Sequence, residues 1–211
     1  MNADAIRSEF RSKFQREPQV IARAPGRVNL IGEHVDSNDG LVLPVATTEC
    51  TWVACASVAA DGPATARVHS REFGDAVPWP IEDWTPAPHP HWTSYVAGVA
   101  ALLAARGARV DSFEMAVASD VPTGGGLSSS AALEVAAGLA LAHLAGEPLD
   151  SVEMIDLCVQ AEREFAGVPC GIMDQTASLL ARPEHALLLD CRTREVQHIP
   201  AALAGHRLVL F

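Results

Sequence analysis

Ile6, Phe10 and Phe14 recur every four residues near the start of the chain, laying one apolar stripe along a helix over about 4–16. The period then shortens. "QVIARAP" and "RVNLI" read as strands broken by Pro25-Gly26, and the turn-forming "SNDG" at 37–40 predicts a hairpin-like return. "TWVACASVA" (51–59) and "ATARVHS" (64–70) are further strands, and "PWPIEDWTPAPHPHW" (78–92) reads as an ordered surface loop or short strand. "WTSYVAGVAALLAARG" (92–107) predicts a helix stopped by Gly107, and "SFEMAVAS" (112–119) a strand. Helices follow at about 128–145, 151–165 and 173–182, then strands near 185–190, 194–199 and 206–211. Strands first and helices later, without regular alternation, predict an α+β layered domain.

Composition narrows the function classes. Of the 211 residues 49% are hydrophobic, enough for a sizeable core, yet no run approaches the ~18 apolar residues of a membrane span. The start, "MNADAIRSEFRSKFQRE", has no apolar signal core. Five cysteines without a Cys-x-x-Cys favour reduced thiols in a cytoplasmic protein over disulfides or a zinc site. A net charge of −11 argues against nucleic acid as the main partner. It does not argue against a nucleotide, whose phosphates backbone N–H groups and a magnesium ion can neutralise locally.

"VPTGGGLSSSAALEV" (121–135) places three glycines and three serines at the mouth of an apolar helix. Gly124, Gly125 and Gly126 let the main chain wrap a polyphosphate, the N–H groups of Leu127, Ser128, Ser129 and Ser130 face it, and a first-turn serine hydroxyl can ligate magnesium. A P-loop would need Gly-Lys-Ser/Thr at the end, a dinucleotide fingerprint a glycine where Ser129 stands, and a nucleophile elbow Gly-x-Ser-x-Gly. None is present. A helix merely capped by Ser128 explains one serine, not the whole cluster.

These letters resemble the second signature of the GHMP small-molecule kinases. "APGRVNLIGEHVDSNDGLVLP" (24–44) resembles the signature of the galactokinase branch, and "AEREFAGVPCGIMDQTASLL" (161–180) the segment carrying that branch's catalytic aspartate. Three motifs in the right order make the match specific, and it covers essentially all 211 residues. The resemblance implies the family's N-terminal lobe, ribosomal-protein-S5 domain-2-like, with a galactose-binding segment at 24–44, a phosphate loop at 121–131 and a catalytic-aspartate segment at 161–180. The family's third glycine-rich motif and second lobe are not in the sequence. With the abrupt apolar ending "GHRLVLF", this leads to the expectation that the chain is the N-terminal part of a longer protein.

The implied reaction is transfer of the ATP γ-phosphoryl to the C1 hydroxyl of galactose, giving galactose 1-phosphate and ADP. Asp174 would take the hydroxyl proton and Arg27 would stabilise charge spreading onto the phosphoryl oxygens. Glu33, His34 and Asp36 carry over as ligands of the sugar hydroxyls, with Val35 and Gly171 in the same substrate-binding set. Ser70 matches a position that contacts nucleotide, and Ser130 and Glu162 match the magnesium ligands. Val35 and Ser37 stand where the branch usually carries threonine and tyrosine, which keeps a kinase for a related sugar such as N-acetylgalactosamine as an alternative. A non-catalytic galactose and ATP sensor is a second alternative, weakened by the intact Ser130-Ala131 and Asp174; an inactive fragment is a third. The expected partners are galactose and Mg-ATP, with no nucleic acid and no membrane, in a protein monomeric at full length. Glu134 reads as structural, paired with backbone or a basic group. His69, His89, His91 and the cysteines also read as structural, and Trp79, Trp84 and Trp92 as loop packing, with an adenine edge as the alternative use.

Overall fold

The computed structural model describes residues 1–59, 62–76, 78–81 and 91–201. Five α-helices are described: α1 (Ala3–Phe14), α2 (Trp92–Ala105), α3 (Ser129–Ala145), α4 (Ser151–Phe165) and α5 (Met173–Leu180). The strands are β1 (Val20–Asn29), β2 (Leu41–Val42), β3 (Pro44–Ser57), β4 (Thr65–Ser70), β5 (Gly74–Asp75), β6 (Trp79–Pro80), β7 (Phe113–Ser119), β8 (His185–Asp190) and β9 (Val196–Pro200). One mixed sheet runs β1-β3-β7-β4-β5, with β6 beside β4; β4 and β7 pair in parallel and the other pairs are antiparallel. A smaller antiparallel sheet runs β2-β8-β9. The expected α+β layering is what the chain forms.

Alternation along two central strands builds the layers. Val53 and Cys55 of β3 and Phe113, Met115 and Val117 of β7 face a core completed by α2, α3 and α4. Ala54 and Ala56 with Ala116 and Ala118 face the other way, and their small side chains let Ile6 and Phe10 of α1 seat flat on the sheet. Both faces are covered, so these strands read as near-continuous apolar runs. Helix α3 is buried on almost every side, as its composition of alanine, leucine and valine requires. Asp150 starts α4 with a reciprocal capping box to Glu153, and Gly146 ends α3 in the left-handed conformation.

Two expectations change. Pro25-Gly26 does not break the strand: β1 continues through it with a register shift between Pro25 and Arg27, a bulge that re-aims the residue after it. The strand read at 51–59 runs instead from Pro44 to Ser57 and returns antiparallel along β1, so the "SNDG" turn does close a hairpin-like path. The strand expected at 206–211, Trp84 and His89 lie outside the described residues.

Candidate active site

The bulge in β1 sends the Arg27 backbone N–H to the Leu127 carbonyl, at 3.0 Å, while its side chain reaches Asp174 on the first turn of α5. Arg27 Nε donates to Asp174 Oδ1 at 2.8 Å, a second guanidinium nitrogen lies 2.5 Å from the same oxygen, and Nη1 donates to the Gly126 carbonyl at 2.7 Å. Ser128 Oγ donates to Asp174 Oδ2 at 2.5 Å. One arginine thus locks glycine loop, strand and carboxylate together. Ser128 holds the N-cap position of α3 but makes no cap bond with its side chain; its backbone is left-handed (φ 56°), an uncommon state for a residue with a Cβ, and its hydroxyl is turned to Asp174. The capping explanation of this serine is therefore set aside. Gly124 and Gly126 also have positive φ (72° and 69°), with open space around each, so conformation explains these glycines here.

Glu33 and His34 are exposed on the loop after β1, and Asn29 Nδ2 donates to Glu33 Oε1 at 3.4 Å. Asp36 opens a short 3₁₀ turn (Asp36–Asn38) and lies directly against Gly171: a Cβ there would fall 2.8 Å from the Asp36 carbonyl carbon and closer still to its carboxylate. The segments at 24–44 and 161–180, far apart in sequence, meet at this contact. Val35 instead packs into the small cluster of Val42, Met173, Leu187 and Leu189, so its side chain serves the loop's footing.

On the other side of the glycine loop lies a cavity of about 480 Å³, within the range of small-ligand sites. Its lining includes Ser70, Ser129 and Ser130, together with Phe73, Trp92 and Tyr95. Ser70 is buried, and its hydroxyl accepts from the N–H groups of Glu72 and Phe73, holding the turn that carries Phe73 to the cavity. Phe73 and Trp92 stack with centroids 6.0 Å apart and planes 21° off parallel. Trp92 therefore belongs to a cavity wall as well as to loop packing. Phe73 and Tyr95 carry no distinguishing signal in the sequence. His91 Nδ1 accepts from the Thr93 N–H and caps the start of α2, and the residue also lines the cavity.

Glu162 sits at the inner edge of the site, 4% exposed. Burial pushes its carboxyl above the usual range; against that, hydrogen bonds from the Ser130 hydroxyl, the Cys170 thiol and the Gln175 amide favour the charged form. Burial and the neighbouring Glu162 charge push the Cys170 thiol up to about 12, so it stays protonated. Among the described residues no three His, Cys, Asp or Glu side chains gather as a metal cluster. One hydroxyl and one carboxylate do suit magnesium, which takes few protein ligands and completes its shell with phosphate oxygens and water. Glu134, expected to pair with backbone or a basic group, pairs with Gln175 instead: the Gln175 Nε2 donates to Glu134 Oε2 at 3.0 Å and to Glu162 Oε2 at 2.6 Å.

The chain matches two family models, the GHMP kinases N terminal domain over residues 94–182 and the galactokinase galactose-binding signature over 8–57. It is 44% identical over 199 residues to the galactokinase of Canis lupus familiaris, covering 92% of this chain and 50% of the relative. To that of Streptomyces coelicolor it is 42% identical over 211 residues, covering 99% and 54%. The solved structure of Lactococcus lactis galactokinase complexed with galactose superposes with a TM-score of 0.84 at 30% identity, over 95% of this chain and 52% of that one. The chain spans about half the length of the curated relatives it matches. By these matches the chain is galactokinase-like, and its residues 94–182 match the N-terminal domain of the GHMP kinases.

Proposed function

We propose that the site transfers the γ-phosphoryl group of ATP to the C1 hydroxyl of galactose. The observation that carries this reading is the constellation of Arg27, Asp174 and Ser128 at the foot of the glycine loop. Asp174 Oδ1 is taken up by the Arg27 guanidinium, whereas Oδ2 accepts from Ser128 and has lone-pair capacity for another donor. A sugar hydroxyl can therefore donate to Oδ2 without dismantling the site. Asp174 then takes the hydroxyl proton as the sugar oxygen attacks phosphorus. Arg27, fixed by its bonds to Asp174 and Gly126, stabilises the charge that spreads over the equatorial phosphoryl oxygens. Positioning and electrostatics supply the acceleration, and no covalent enzyme intermediate is required.

Asp36, placed against Gly171, would accept from sugar hydroxyls together with Glu33 and His34. The base of the nucleotide would enter the cavity walled by Trp92, Phe73 and Tyr95, with Ser70 at its edge and the phosphates over residues 124–130. Ser130 and Glu162 would hold magnesium, whose charge when bound neutralises the phosphate oxygens. The similar Lactococcus lactis galactokinase is complexed with galactose, which supports the choice of sugar. An ADP-release assay on the purified chain with galactose, N-acetylgalactosamine and glucose tests the reading. Turnover is expected with galactose, and Asp174→Asn should lower it about 10²–10⁴-fold, the usual contribution of a general base. Equal turnover in Asp174→Asn, or turnover with another sugar alone, would overturn it.

A further inference from the structure

Gln175 and Glu134 are both fully buried, and neither takes part in the phosphoryl transfer itself. They are not packed as an isolated polar pair. The two hydrogens of one amide nitrogen are divided between two carboxyl groups, Glu134 Oε2 at 3.0 Å and Glu162 Oε2 at 2.6 Å, and burial, then the neighbouring Glu162, push the Glu134 carboxyl well above its usual range toward the neutral form. The opposite atoms, Glu134 Oε1 and Gln175 Oε1, have no hydrogen-bond partner among the described residues. A fold that only needed to fill this volume would place an apolar side chain here, because each unpartnered buried oxygen costs about 1–3 kcal/mol. The arrangement instead orients the Glu162 carboxylate. A neutral amide can hold that carboxylate without cancelling the charge a cation needs, whereas lysine or arginine would compete with the cation itself. Gln175 also follows Asp174 directly, so the first turn of α5 presents the proposed base on one side and the amide on the other.

Building on the proposed magnesium-nucleotide site, we propose that Gln175, braced by Glu134, is the positioning residue that sets the Glu162 carboxylate opposite Ser130 for the metal–phosphate complex. Glu134 fixes the amide's rotation: its Oε2 claims one N–H, which leaves the other aimed at Glu162. Neither residue touches substrate. Their effect should appear in how strongly binding depends on magnesium, where partners of metal ligands typically contribute 10–100-fold.

The test is calorimetric titration of a non-hydrolysable ATP analogue into the purified chain, with magnesium and with chelator, alongside thermal denaturation. In the wild type magnesium should strengthen binding. Gln175→Met, nearly the same shape, should reduce that enhancement by tenfold or more, while affinity in chelator stays within about twofold. Glu134→Leu should do the same with an equal or higher melting temperature, because it removes a buried unpartnered oxygen from apolar surroundings. Glu134→Gln keeps an acceptor for Gln175 and should restore the wild-type enhancement to within about threefold. Should Gln175→Met not fold, Glu134→Leu carries the decision alone. A full magnesium enhancement in a folded Glu134→Leu variant would overturn the positioning role and leave the nucleotide site standing. A wild type whose analogue binding ignores magnesium would overturn both.

Discussion

Gly171 shows how one atom can govern a site. Its missing Cβ is where the Asp36 carboxylate sits, so Gly171→Ala must push Asp36 off its position. The backbone carbon of Asp36, 2.8 Å from the added methyl, cannot yield as a flexible side chain would. Galactose affinity of Gly171→Ala, measured by titration, should fall tenfold or more. Binding of an ATP analogue at the cavity around Trp92 should stay within about twofold, since neither Asp36 nor Gly171 lines it. A parallel loss of both would mean that the substitution disturbs α5 as a whole and not the sugar loop. The glycine and serine cluster is legible by composition alone, whereas Asp174, Arg27 and Ser130 are legible through the motifs around them, which resemble a known family; taken alone, Asp174 reads as an ordinary first-turn aspartate. Gln175 and Glu134 do not stand out. A glutamate between Leu133 and Val135 carries no periodic signal separating a bracing role from a helix-surface one, and its partner lies 41 residues away.

Among the elements, α1 is held to the sheet by two different forces. Ile6 and Phe10 press on the alanines of β3 and β7. Beyond that apolar seat lies a set of charges: Glu9 Oε2 accepts from Arg71 Nη2 at 2.8 Å, His69 Nε2 lies 3.1 Å from Glu9 Oε1, and Asp75 accepts from Lys13 and contacts His69. Burial alone would raise the Glu9 carboxyl, but its bonds with Arg71 and His69 outweigh this and hold it below its ordinary value of 4.5. Lys13, then His69, hold Asp75 below 3.8. Acids depressed in the folded state stabilise it above their unfolded values, and that stability is lost as pH falls through the folded values. Melting temperature should therefore fall as pH drops below about 4.5. Glu9→Gln should be less stable than wild type at pH 6–7, with the gap closing as pH falls progressively below the ordinary value of 4.5; a gap that stays constant on acidification would rule out the ion pairs as its source. The apolar stripe of α1 is plain from its four-residue spacing. The charged contacts are not, because they join α1 to residues about 60 positions on, and sheet order decides which charges meet. Pro25-Gly26 misleads for a related reason. Proline reads as a break, but at a bulge its missing N–H costs no ladder bond, and the chain uses the bulge to aim Arg27.

For the whole molecule, the cavity lies where four pieces of the fold converge: the end of β4 with the turn after it, the end of β7, the start of α2 and the first turn of α3. These pieces are joined through the central sheet and α3, so a ligand bridging them should stabilise the domain and not one loop. Binding restricted to the folded state adds RT ln(1 + [L]/Kd), about 2.7 kcal/mol at a hundredfold excess over Kd. For a domain of this size each kcal/mol moves the midpoint by about 2–4 °C, so a magnesium–ATP analogue at that excess should raise the melting temperature by about 5–11 °C. The shift should grow with the logarithm of ligand concentration. Trp92→Ala should shrink it by removing the stacked wall while sparing the phosphate loop, and a metal-free analogue should give a smaller shift than the magnesium form. A concentration-independent shift, or one that Trp92→Ala leaves unchanged, would mean that the nucleotide base lies elsewhere. The cavity would then need a different occupant, even with Arg27 and Asp174 still locked together beneath the loop.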